Sequence, residues 1–73
     1  MEKKRYGLAI RKLRLSMQFS QEKFARKIGI SAQNLSKIER GVTKLPNQLT
    51  RESIDNYAIS MGKSPIFDKE RVT

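Results

Sequence analysis

Gln33, Ser36, Lys37 and Arg40 bring an amide, a hydroxyl and two cations together in one short stretch of the chain. On a helix, successive residues turn by about 100°, so these four point away from the stripe formed by Leu35 and Ile38. Glu39 flanks that stripe, which leaves the outward face without a carboxylate. A helix that is only solvated usually mixes both signs of charge. Glutamine can pair bidentately with adenine, and lysine or arginine with guanine or phosphate, so this face suits a groove lined with acceptors. Catalysis has no comparable footing. Serines are frequent, but no histidine or paired carboxylates could activate them, and without histidine or cysteine no structural or catalytic metal site is expected.

The elements that must carry this face lie between Ser20 and Gly41. Phe19-Ser20 and Ile30-Ser31 each place an apolar residue and a serine ahead of a helical pattern. A serine there accepts from the free N–H groups of the first turn. Phe19 falls against Phe24, and Ile30 against Leu35, at the spacing of a hydrophobic staple. The first of these helices carries Phe24, Ala25 and Ile28 on one side, the second Leu35 and Ile38. Gly29 lets the chain leave one helix and enter the next within about three residues. This is the design of a helix-turn-helix, whose second helix enters the major groove of DNA. An ordinary helical hairpin packing its apolar faces is the plainer reading.

The charge distribution favours the nucleic-acid reading. Sixteen Lys and Arg against seven Asp and Glu give a formal charge of +9, which calls for an acidic partner. Residues 3–40 hold eleven of the basic side chains and only Glu22 and Glu39 against them, whereas residues 41–73 hold five basic and four acidic. The positive field therefore coincides with the helix-turn-helix, as a phosphate-binding footprint should. No apolar run approaches the roughly 20 residues of a membrane span. The basic start leads into a charged amphipathic helix and not into a signal core, so a cytoplasmic protein is expected.

Tyr6-Gly7-Leu8-Ala9-Ile10-Arg11-Lys12-Leu13-Arg14, Ser20-Gln21-Glu22, Ala25, Gly29, Ile30-Ser31, Leu35-Ser36-Lys37-Ile38-Glu39-Arg40-Gly41 and Lys44-Leu45-Pro46 together resemble the Cro/cI (XRE) family of helix-turn-helix regulators. The loop from Gly41 to Pro46 is similar to that of lambdoid phage repressors. The likeness covers residues 6–46 well and the rest loosely. It implies an all-α, lambda repressor-like DNA-binding domain, a compact bundle of four to five short helices. It further implies that Ala32, Gln33 and Lys37, with Ser36 beside them, read bases, and that Gln21, Arg40, Thr43 and Lys44 hold the DNA backbone. Ala32 stands where the family often has a polar residue, so it offers only apolar contact to a thymine methyl. Arg14 and Glu39 match a partly buried ion pair of the lambdoid repressors. Gln18 departs from the family, which commonly has glycine before the second helix.

The rest of the chain reads as support. Tyr6, Ala9, Ile10, Leu13 and Met17 give a first helix over residues 5–17, with Gly7 marking a first turn or a close helix crossing. After a loop over residues 42–47, Thr50 is expected to cap a fourth helix, Arg51 to Met61, with an apolar stripe of Ile54, Tyr57, Ala58 and Met61 and a stop at Gly62. The stretch from Pro46 to Gly62 is a few residues longer than the family pattern. An extra turn, or a longer loop around Gln48 and Leu49, would absorb it. Residues 1–62 are thus expected to form the DNA-binding domain, with the motif at 20–41, and residues 63–73 a short tail. Ile66, Phe67 and Val72 in that tail either fold back on helix one or serve as dimer contacts, and removing residues 64–73 is expected to spare the fold.

The function expected is sequence-specific binding of double-stranded DNA by a bacterial or phage transcriptional regulator, most simply a repressor, without cofactor. One recognition helix reaches few base pairs, so a homodimer at least on DNA and an inverted-repeat operator are expected. The alternative is an antitoxin or anti-repressor module, with a protein as its physiological partner. Single-strand or RNA binding would need exposed stacking aromatics, whereas Phe19 and Phe24 fall at core positions.

Overall fold

Serines and an asparagine start three of the four helices by standing in for missing backbone partners. The computed structural model describes residues 2–67. In it the helices are α1 (Glu2–Ser16), α2 (Gln21–Ile28), α3 (Ala32–Arg40) and α4 (Gln48–Ser60), with no strand among the described residues. The Ser20 hydroxyl accepts from the Lys23 amide at 3.1 Å, and that of Ser31 from Asn34 at 3.0 Å, as the sequence leads one to expect. The fourth start is a correction. Asn47, not Thr50, is the cap, and its Oδ1 accepts from the Thr50 amide at 2.9 Å. The helix therefore opens three residues early, and the extra length after Pro46 goes into helix, not into a loop around Gln48 and Leu49.

All four helices end with a left-handed residue. Gly29, Gly41 and Gly62 fill that place after α2, α3 and α4, and after α1 it is Gln18, at φ 62°. The Gln18 amide donates to Leu15 O at 3.0 Å and that of Phe19 to Arg14 O at 3.2 Å, the paired bonds of a glycine-type helix stop. The turn before α2 is thus the one glycine would make, built without glycine. A left-handed side-chain residue costs about 1–2 kcal/mol, more than the 0.5–1 kcal/mol that glycine loses in chain entropy. Gln18→Gly should accordingly raise the melting temperature by a few degrees. A lowered midpoint in a thermal melt would show that Gln18 has a contact outweighing its strain.

Tyr6, Ile10, Leu13 and Met17 from α1 meet Phe24, Ala25 and Ile28 from α2, Leu35 and Ile38 from α3, and Ile54 and Ala58 from α4 in one core. Met61, expected on the α4 stripe, is exposed, because the helix has already ended at Ser60. The core also takes Phe67, 3% exposed, whose ring stacks on Tyr6 at 5.0 Å between centroids. Of the two places open to the tail, residues 66 and 67 occupy the intramolecular one. Asp55, 1% exposed on α4, holds them there: its carboxylate accepts from the Ile66 amide at 2.7 Å and from the Phe67 amide at 3.0 and 3.1 Å. The folded unit consequently runs past residue 62 through Phe67. Val72 lies outside the described residues.

Gly7 sits inside α1, where it fixes the distance to α3. A Cβ built there would stand 2.3 Å from Ile38 O and 2.9 Å from Glu39 O. Of the two roles open to Gly7, this is the close helix crossing. Alanine gains up to about 1 kcal/mol of helix propensity, but overpacking typically costs 1–3 kcal/mol, and here the obstacle is backbone that cannot swing aside. Sterics wins, so Gly7→Ala should destabilise and push α3 outward. A denaturation midpoint equal to wild type would exclude so close a crossing.

Candidate nucleic-acid interface

The turn between α2 and α3 is three residues, Gly29 to Ser31. Gly29, at φ 84°, reverses the chain, and the Gly29 and Ile30 amides both donate to Ala25 O, at 2.9 and 3.0 Å. Ala25 is 1% exposed, and its small side chain lets α3 approach α2 closely. The capped start of α3 then projects from a fixed base.

Along α3, Leu35, Ile38 and Glu39 are buried, whereas Gln33, Asn34, Lys37 and Arg40 are exposed. Gln33, Lys37 and Arg40 cluster opposite the buried stripe. Ser36 is half-buried at one edge of this face, and Ala32 packs partly against the core. Arg40 lies back along the helix, its Nε donating to Ser36 O at 3.3 Å. Asn34 is a polar exposed side chain that the sequence reading passed over. Its place one residue after Gln33 was the available signal. Beyond α3, Thr43 is half-buried and Lys44 exposed.

Glu39, the one acid of α3, is turned away from the outward face. Arg14 Nε donates to its Oε2 at 2.7 Å and Nη2 to its Oε1 at 3.1 Å, a bidentate pair with side chains 9% and 2% exposed. Gln21 Nε2 adds a third bond to Oε1 at 3.1 Å, and Arg14 Nη1 donates to Phe19 O at 2.8 Å. One carboxylate thereby joins α1, α2 and α3. The ion pair anticipated between Arg14 and Glu39 is present, and Gln21 is part of it. Since an amide carries two N–H donors, Gln21 keeps one for another acceptor.

The arrangement leaves a carboxylate-free face of donors on a rigidly seated helix. An all-α domain with these features is a helix-turn-helix DNA-binding domain. Residues 10–50 match the family model described as Helix-turn-helix, more than half of the chain. The chain belongs to this family, in its Cro/cI (XRE) form, whose members are DNA-binding transcription regulators. Comparison with curated proteins and with solved structures found no match. No helix among the described residues is long and apolar enough to cross a membrane.

Proposed function

We propose that the protein is a cytoplasmic repressor that occupies an inverted-repeat operator as a homodimer, reading each half-site with α3. The observation that carries this reading is the removal of Glu39 into the Arg14 pair, which leaves Gln33, Lys37 and Arg40 as the outward face of α3. Gln33 and Lys37 read base edges, with Ala32 and Ser36 at the margin. Arg40, Thr43, Lys44 and the remaining N–H of Gln21 hold phosphates, Gln21 from the first turn of α2 where the helix dipole favours an anion. Selection of bound fragments from random duplex DNA at physiological salt tests the proposal. An inverted repeat with half-site centres about 10 base pairs apart is expected. Recovery of unrelated sequences would refute it.

The salt dependence and the side-chain roles are measurable separately. Operator affinity should fall with a log–log slope of about −0.9 per phosphate neutralised; a slope near zero removes DNA as the main partner. Gln33→Ala or Lys37→Ala should lose about 1–3 kcal/mol of discrimination at the base pair each contacts, while Lys44→Ala weakens all duplexes alike. Identical binding-site profiles for wild type and both α3 variants would mean that another face reads the DNA.

The dimer surface that the structure favours is the outer side of α4. Leu49 and Ile59 are 76% and 53% exposed there, with Ser53 and Asn56 exposed between them. In a chain of charge +9, this helix carries one basic and two acidic residues, Asp55 among them buried, so two copies meet there with little repulsion. Ile66 is half-buried, and Phe67 belongs to the protomer's own core, which removes its ring from the contact. Sedimentation of Leu49→Glu/Ile59→Glu in the presence of operator should show loss of the two-to-one complex.

A further inference from the structure

We propose that the cleft between α1 and the chain following α4 is a docking site for an acidic amphipathic helix of a partner protein, a role beyond operator binding. The cleft holds about 480 Å³. Its floor is apolar, with Ala9 and Leu13 of α1 facing Pro65 and Ile66. Arg5, Lys12 and Lys63 line it as well, and all three are exposed, which puts them at its rim. Among residues 3–67, whose side chains are described, no carboxylate pairs with any of the three.

The far wall is fixed, because the Asp55 carboxylate grips the Ile66 and Phe67 amides and Phe67 stacks on Tyr6. A partner therefore finds the cleft already formed and spends little on ordering it. Arg5 and Lys12 are seven residues apart on α1, two turns or about 10 Å. Acidic side chains two turns apart on a helical partner match that spacing, with apolar side chains between them reaching the floor. A second copy of this chain would bring the same positive excess to a rim made of cations. Duplex DNA offers the charge but nothing for an apolar floor. The cleft also lies away from the α3 side of α1, since Gly7 faces α3 and the cleft-lining Arg5, Ala9 and Lys12 fall on other faces of the helix. An exposed rim suits a peptide better than a small molecule, which a site must bury over most of its surface.

The test uses the whole chain, isotopically labelled, with a synthetic helical peptide of about four turns that carries leucines along one stripe and glutamates flanking it. Amide shifts should move at Ala9, Lys12, Ser64 and Ile66, and Lys12→Gln/Lys63→Gln should weaken binding by about tenfold. That variant should still bind DNA, and the peptide complex should form equally with DNA-bound protein. Any of four results would overturn the proposal. These are shifts centred on α3, equal binding of a peptide with lysines in place of the glutamates, unchanged affinity in the double variant, or the same cleft shifts on raising protein concentration without peptide.

Discussion

Phe67→Ala is expected to lower the unfolding free energy by about 3–5 kcal/mol, the usual cost of emptying a core phenylalanine site. The ring is 3% exposed, stacks on Tyr6, and has the Arg51 guanidinium 5.7 Å from its centroid. A domain of this size without disulfide or metal rarely has more than 3–5 kcal/mol from its core, so the variant should be largely unfolded at 37 °C. Truncation after Lys63 should be at least as severe. It removes the ring and also strips Asp55 of the amide donors that its buried carboxylate accepts from. A buried acceptor left unpaired costs about 1–3 kcal/mol, part of which water recovers once the site opens. Circular dichroism during urea titration measures both changes. A truncated chain with the wild-type midpoint would show that residues 66 and 67 contribute nothing to the core, and would restore the sequence-based expectation that removing residues 64–73 spares the fold.

That error has a physical cause. The motif from Ser20 to Gly41 could be read residue by residue because its signals are local: a capping serine, a staple and a turn glycine each act within about four residues of one another. Arg14 and Glu39 were legible as charges at the edges of apolar stripes, helped by the family resemblance. Phe67 and Asp55 had no such signal. Phe67 lies in an irregular segment after Pro65, where periodicity says nothing. Asp55 looks like a surface acid beside Ile54 until the returning chain supplies its partners. Asn47 and Thr50 are both acceptable caps for α4, and the preference for asparagine over threonine points to the one the structure uses. Gln18 shows the reverse limit: the departure from glycine was visible, but a left-handed glutamine is the last conformation sterics would suggest.

Breaking the Arg14–Glu39 pair from either side should cost about 3–5 kcal/mol, whereas replacing both residues by apolar ones of similar volume, Arg14→Met/Glu39→Met, should cost far less. The asymmetry arises because each single change leaves a desolvated charge, and the double change leaves none. The two single changes should also differ. In Glu39→Ala the guanidinium keeps Phe19 O as a partner, and its long side chain can move its head toward water. In Arg14→Ala the carboxylate, 2% exposed and on a shorter stem, keeps only the Gln21 amide. Arg14→Ala should therefore be the more damaging. Both should impair DNA binding beyond the loss of folded protein, since Glu39 is the joint that seats α3 against α1 and α2. The measurement is a denaturant double-mutant cycle with operator titrations on the folded fraction, and since each single change costs about 3–5 kcal/mol and the double far less, a coupling of more than about 3 kcal/mol is expected. An additive cycle, with Arg14→Ala no worse than an exposed Arg11→Ala, would mean that the pair neither orders the helices nor contributes to seating the recognition face.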